Sequence, residues 1–116
     1  MPVEQGEIVE VNFLLPDGQF KPHPVIVLSN NHINEYEEAF IGVMMSSSAP
    51  DDDYSFGLEN KMLTKQPKKP CKVRCHLISL IPENQIIGKH GIIKKQYLKK
   101  LIEKINECVF NVDEPR

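Results

Sequence analysis

Tryptophan is absent from these 116 residues, and cysteine occurs only three times. An odd cysteine count argues against a disulfide framework. On one strand, Cys71 and Cys75 would stand about 13 Å apart at roughly 3.3 Å per residue. That separation excludes a mutual disulfide and a shared metal ion. With Cys108 they are expected to be small buried hydrophobes in a reducing compartment. No apolar run approaches the roughly 20 residues of a membrane span, so no membrane partner is expected. Met1–Glu10 carries three Glu and no basic residue, so no signal peptide is expected and the cytoplasm is the expected location. Repeats and low-complexity tracts are also missing. The four histidines show no metal-ligand spacing, and no metal or cofactor is expected.

Positive charge is scarce in the first half of the chain. Residues 1–60 hold one basic residue, Lys21, against eleven acidic ones, a balance of −10. Residues 61–116 hold thirteen basic and five acidic residues, a balance of +8, so the net charge of −2 conceals a strong polarity. A cationic half suits a polyanion, whereas two interleaved halves would pair their charges. A hydrophobic content of 41% and a mean hydropathy of −0.32 place the whole chain as one globular domain, residues 1–116.

What is present centres on His23-Pro24-Val25-Ile26-Val27-Leu28-Ser29-Asn30. Four consecutive apolar residues between turn formers predict a strand buried on both faces. Pro24 has no N–H, which places it at the strand's first residue with His23 extended just before it. A histidine at the mouth of a rigid strand is well placed to work.

Upstream, Gly6–Phe13 alternates, with Val9, Val11 and Phe13 on one face and Glu10 and Asn12 on the other, and predicts a half-buried strand. Leu14–Pro22 reads as a projecting loop with a turn at Asp17-Gly18. Asn30–Glu38 reads as a loop with one helical turn capped by Asn30 or Asn31, which leaves His32 in a loop. Ala39–Ser47 predicts a third strand, and Asp51-Asp52-Asp53 a solvated acidic loop, since calcium loops space their carboxylates and interpose glycine. Phe56–Leu63 predicts a weak edge strand, and Thr64–Pro70 an exposed basic loop.

Cys71–Ile81 predicts the longest strand, with Val73, Cys75 and Leu77 opposite Lys72, Arg74 and His76. Its alternation then breaks, which a bulge or a subunit interface explains. His76 reads as a partly exposed structural residue. Ile86–Ile93 predicts a short strand or connector holding His90. Tyr97, Leu98, Leu101, Ile102, Ile105, Cys108 and Val109 form one apolar stripe, the mark of a docked amphipathic helix. Short strands followed by one helix give a mainly β fold, a bent sheet or partial barrel with a C-terminal helix against it.

Gly6-Glu7-Ile8-Val9-Glu10-Val11, His23–Ser29, the strand ending at Ser46-Ser47, Val73–Ile86 and Gly91-Ile92-Ile93 before the helix resemble the MazF/PemK/Kid toxins of type II toxin–antitoxin systems. The resemblance implies an SH3-like partial barrel of the CcdB/Kid/MazF kind, usually dimeric. It also implies sequence-specific cleavage of single-stranded RNA without metal or cofactor, and a cognate antitoxin that occupies the RNA groove. In that family an arginine precedes the second-strand proline and a threonine precedes the serine closing the third strand. Here those positions are His23 and Ser46. A related gyrase-poisoning branch works through C-terminal residues including a tryptophan, which this chain lacks.

In such cleavage the 2′-OH attacks its neighbouring phosphate. A base removes the hydroxyl proton, an acid protonates the leaving 5′-oxygen, and donors steady the phosphorane. Histidine as a residue type suits the proton transfer. His23 and Ser46 are therefore the expected catalytic residues, and Lys21, Gln19 and Ser47 the expected RNA contacts. The competing expectation is a degenerate module on the same fold that binds RNA or an antitoxin without cutting.

Overall fold

In the computed structural model, which describes residues 2–116, the alternating N-terminal stretch becomes strand β1, Glu7–Leu14. Val9, Val11 and Phe13 are buried on one face, as their spacing predicts. Ile8 is also buried, on the other face, because a helix and a loop cover that side.

Strand β2 is Phe20–Val27 and pairs antiparallel with β1 from Leu14↔Phe20 to Ile8↔Ile26. It begins at Phe20 rather than at His23, so the loop is only the short turn at residues 15–19. Leu15 N–H donates to Gln19 O at 2.8 Å, Asp17 Oδ1 accepts from Gln19 N–H at 2.9 Å, and Gly18 takes φ +86°. That closed turn starts the ladder earlier than the prolines suggest. Pro24 consequently lies inside the strand, and the pairing pattern explains why it is tolerated. Gly6 N–H donates to Val27 O at 2.8 Å, on the β1 side. Backbone groups alternate sides along a strand, so Pro22 and Pro24 present their nitrogens away from β1. On that side the next strand pairs only with Val25–Val27, and no ladder donor is lost.

Helix α1, Asn31–Glu37, is capped by Asn30 Oδ1, which accepts from Ile33 N–H at 3.0 Å. His32 is therefore helical, not in a loop. Strand β3 is Ala39–Ser46, and β4 is only Ser55–Gly57. The remainder of the expected Phe56–Leu63 strand becomes a 3-10 turn over Asn60–Met62. Strand β5, Lys72–Pro82, is the longest; β6 is Ile86–Ile92, and α2 is Lys95–Cys108. His90 thus sits in a strand rather than a connector.

The sheet order is β4-β5-β3-β2-β1-β6. A three-residue 3-10 turn, Glu83–Gln85, joins β5 to β6, yet the two strands lie on opposite sides of β3-β2-β1. The sheet must curl for so short a link to span it, and Ile81 and Ile86 accordingly meet in one core with Val9, Val11, Val25 and Phe40. This curl is the partial barrel expected from the sequence. Its outer face buries Ile8, Ile26, Val43, Met45, Val73 and Cys75 beneath Leu98, Leu101 and Ile105 of α2. Each such side chain contributes roughly 1.5–3 kcal/mol by leaving water. The β3–β5 register shifts between Val43 and Met45, the bulge that the broken alternation of β5 predicts.

The two oppositely charged halves interleave. Asp51 pairs with Lys72, Asp52 with Arg74 at 2.9 Å, and Glu7 with Lys89 at 3.5 Å, while Glu10 Oε1 lies 3.7 Å from His90 Nε2. Among the described residues no helix is long and apolar enough to cross a membrane.

Candidate functional site

Strand pairing sets which side chains share a face. The β2–β3 ladder ends at Val25↔Met44. Beyond that pair β2 and β3 are not hydrogen-bonded; by alternation His23, two residues before Val25, and Ser46, two residues after Met44, keep to the face of that last pair. Ser46 is in turn the partner of Lys72 on β5, and Ser55 on β4 is the partner of Arg74. Directly opposed residues in an antiparallel sheet lie on one face, and alternate residues return to it. His23, Ser46, Lys72 and Arg74 therefore form a polar strip across three strands. It continues the inner face of the sheet beyond its last apolar pair. Lys21, two residues from His23 and opposite Phe13, extends it on β2. His76 follows Arg74 on β5 at the point where the alternation breaks, since Cys75 packs in the outer core and Leu77, against its expected placement beside Val73 and Cys75, in the inner one.

Paired strands lie about 4.8 Å apart, so Ser46 and Lys72 fall within reach of one phosphate, and His23 lies on the same face beyond the last paired residues of β2 and β3. Four residues further along β5, His76 lies about 13 Å from Lys72 and serves a neighbouring group instead. It borders a depression of about 440 Å³ between the hairpin, at Phe13, Leu15 and Gly18, and β5 at Ser79.

The strip is held in place locally. Ser46 Oγ accepts from Ser48 N–H at 3.2 Å and contacts Ser48 Oγ at 3.2 Å. Lys72 Nζ pairs with Asp51. Arg74 Nη1 donates to both Asp52 oxygens, at 2.9 and 3.0 Å, and to Ser55 Oγ at 2.8 Å. Partial desolvation pushes the Asp52 pKa up, but hydrogen bonds from Arg74, Tyr54 N–H and Ser55 outweigh it and hold the carboxyl below its ordinary value. His76 lies against Tyr54, ring centroids 5.0 Å apart. Burial, then the Arg74 charge, lowers the His76 pKa against the opposing pull of Asp52, which favours the neutral imidazole.

Of the five residues nominated from the sequence, His23, Ser46 and Lys21 share this face. Gln19 lies in the hairpin turn, its N–H bound to Asp17. Ser47, one residue past the end of β3, lines a shallow hollow with Gly57, Leu58, Cys71 and Lys72. Lys72, Arg74 and His76 were not nominated. The shared face of Lys72 and Arg74 is readable from the alternation with Val73 and Cys75, but the pairing of that face with Ser46 is not. A separate cavity of about 410 Å³ opens on the outer face among Pro24, Met45, Lys65, Lys68 and His90. It takes none of the strip residues.

The sequence matches the family described as PemK-like, MazF-like toxin of type II toxin–antitoxin system over residues 4–109. No curated protein matches it. Among solved structures, MazF from Deinococcus radiodurans superposes with a TM-score of 0.77 at 14% identity, covering 96% of this chain and 99% of that one. An endoribonuclease from a mycobacterial species gives 0.76 at 10% identity, covering 99% and 97%. A mycobacterial endoribonuclease in complex with its cognate antitoxin gives 0.72 at 12% identity, covering 97% and 99%. At such identities the likeness establishes the shared fold.

Proposed function

We infer, from the premise that this chain belongs to the PemK-like, MazF-like toxins of type II toxin–antitoxin systems, that it is an endoribonuclease acting on single-stranded RNA at the His23–Ser46–Lys72–Arg74 strip. One observation supports the reading: the Ser46↔Lys72 pair puts a hydroxyl beside a cation, on the face to which alternation also assigns His23 and Arg74. In the proposed reaction the His23 imidazole accepts the proton of a ribose 2′-OH. The freed oxygen attacks the adjacent phosphorus. Ser46 and Arg74 donate hydrogen bonds to the non-bridging oxygens as the phosphorane forms. The Lys72 ammonium gives a proton to the departing 5′-oxygen; arginine, which holds its protons at all working pH values, is unsuited to that step. The products are a 2′,3′-cyclic phosphate and a free 5′-hydroxyl. The nucleophile belongs to the substrate, so a strand without 2′-OH groups is spared, and the steps call on side chains alone, without a metal.

Lys21, Gln19 and the hairpin tip are proposed to hold flanking nucleotides, with the depression beside His76 taking the next one. The choice of cut sequence is assigned to these contacts. A cognate antitoxin is proposed as partner, by likeness to the mycobacterial complex, and a second copy of the chain as dimer partner in the cytoplasm. The test is cleavage of single-stranded RNA by the purified protein and two variants. His23→Ala is expected to lose about 10²–10⁴-fold in rate. His90→Ala is expected to keep its rate, because His90 faces the outer cavity with Glu10. Equal rates for both variants would remove His23 from the chemistry. Retained RNA binding without any cutting would favour the binding module.

A further inference from the structure

The loop joining β3 to β4 carries Asp51, Asp52 and Asp53, and two of these carboxylates sit on the two cations of the strip. Asp51 takes Lys72, while Asp52 covers Arg74, whose side chain is only 13% exposed. The loop is fastened there by several bonds. Ser55 Oγ donates to Pro50 O at 2.7 Å, Tyr54 N–H to Asp52 Oδ1 at 3.0 Å, and Ser55 N–H to Asp52 O at 3.2 Å. Both cations lie on the face of Ser46, with Lys72 its direct register partner. The carboxylate oxygens thus stand where the oxygens of a bound phosphate would make the same charge-assisted contacts.

We propose that Asp51 and Asp52 form an internal phosphate mimic, which a polyanion must displace from Lys72 and Arg74 before the strip can hold it. The proposal rests on the RNA reading above and adds to it the residues that set the affinity of the groove. Binding exchanges two carboxylate contacts for two phosphate contacts. The released carboxylates gather cations from solution, offsetting part of the counterion release that drives nucleic-acid binding. The loop therefore weakens binding and flattens its salt dependence. It also disfavours short or weakly charged anions that cannot supply both replacements at once.

The experiment compares wild type, the double variant Asp51→Asn/Asp52→Asn, and a control double variant, Glu35→Gln/Glu37→Gln. The control makes the same change in net charge on exposed positions of α1. The probe is a fluorescent, fully 2′-O-methylated RNA strand of mixed sequence, which cannot be cut, and binding is read by anisotropy across a salt series. The loop variant is expected to bind about tenfold tighter near 0.1 M salt. Its slope of log K against log salt is expected to steepen by about 1.4, two freed cations at about 0.7 each on a single strand. The control is expected to match wild type in slope. Loop and control variants with the same affinity and slope would overturn the proposal and leave the RNA reading intact. Weaker binding by the loop variant would also overturn it, showing that the carboxylates position the cations rather than mask them. Binding by the loop variant alone supports both readings. Binding by none of the three ends the RNA reading, and the proposal with it.

Discussion

Ser29 closes the apolar run that His23 and Pro24 open, and it is buried together with Asn34. Its hydroxyl donates to Asn34 Oδ1 and accepts from Ile41 N–H at 2.8 Å, while Asn34 Nδ2 donates to Ser29 O at 3.1 Å. This node ties the end of β2 to α1 and to the start of β3, beside the Val27↔Gly42 end of the β2–β3 ladder. Ser29→Ala leaves Asn34 Oδ1 and the Ile41 N–H without that partner. The expected cost is about 1–3 kcal/mol, the usual penalty for unmet buried polar groups. Urea unfolding measures it, and a midpoint equal to wild type would show that the node contributes nothing. Histidine in place of the family arginine at position 23 is a different kind of change, because the proposed role is proton transfer where the resemblance implies a fixed cation.

Among the elements, β6 depends most on one residue. Gly91 holds φ +95°, and an added Cβ would stand 2.9 Å from Thr64 Oγ1 and 3.0 Å from Lys65 Cβ. Thr64 cannot yield freely. Its Oγ1 accepts from Ile92 N–H at 2.9 Å, its N–H donates to Ile92 O at 3.0 Å, and Leu63 bridges Ile93 beside it. Gly91→Ala is therefore expected to cost about 1–3 kcal/mol through backbone strain and the displaced loop. An unchanged melting temperature would contradict this. The elements themselves were largely legible in the sequence: the alternation of β1, the apolar runs of β2 and β3, the long β5 with its bulge, and the stripe of α2. The start of β2 was misread because proline argues against a strand interior unless its nitrogen is known to face an unpaired side, and only the pairing partners reveal that. The helix over Asn31–Glu37 was underestimated because its polar residues show little periodicity. The candidate site was legible in part. His23 and Ser46 are nominated by their likeness to family positions. Lys72 and Arg74 belong to β5, which lies 26 residues beyond Ser46 in the chain, counting to Lys72, and their approach depends on a β3–β5 pairing that no local pattern encodes.

At the scale of the molecule, a chain strongly acidic in one half and basic in the other folds so that the halves pair their charges, the strip included, where Asp51 and Asp52 meet Lys72 and Arg74. The outer face also carries an apolar pair, Ile41 and Leu80, directly opposed on β3 and β5 and exposed at 36% and 64%. A second copy of the chain is the proposed cover. Light scattering on wild type should give twice the 13.3 kDa of one chain, and Leu80→Glu should return it to one; a wild-type mass of one chain would contradict dimerisation. The central claim is that the strip turns a ribose hydroxyl against its own phosphate. The most direct measurement is mass spectrometry of the ends left on a single-stranded RNA, beside the same strand carrying 2′-deoxyribose throughout. Ends of 2′,3′-cyclic phosphate and 5′-hydroxyl are expected from the first and no cutting of the second; 3′-hydroxyl ends, or equal cutting of both strands, would contradict the proposed mechanism.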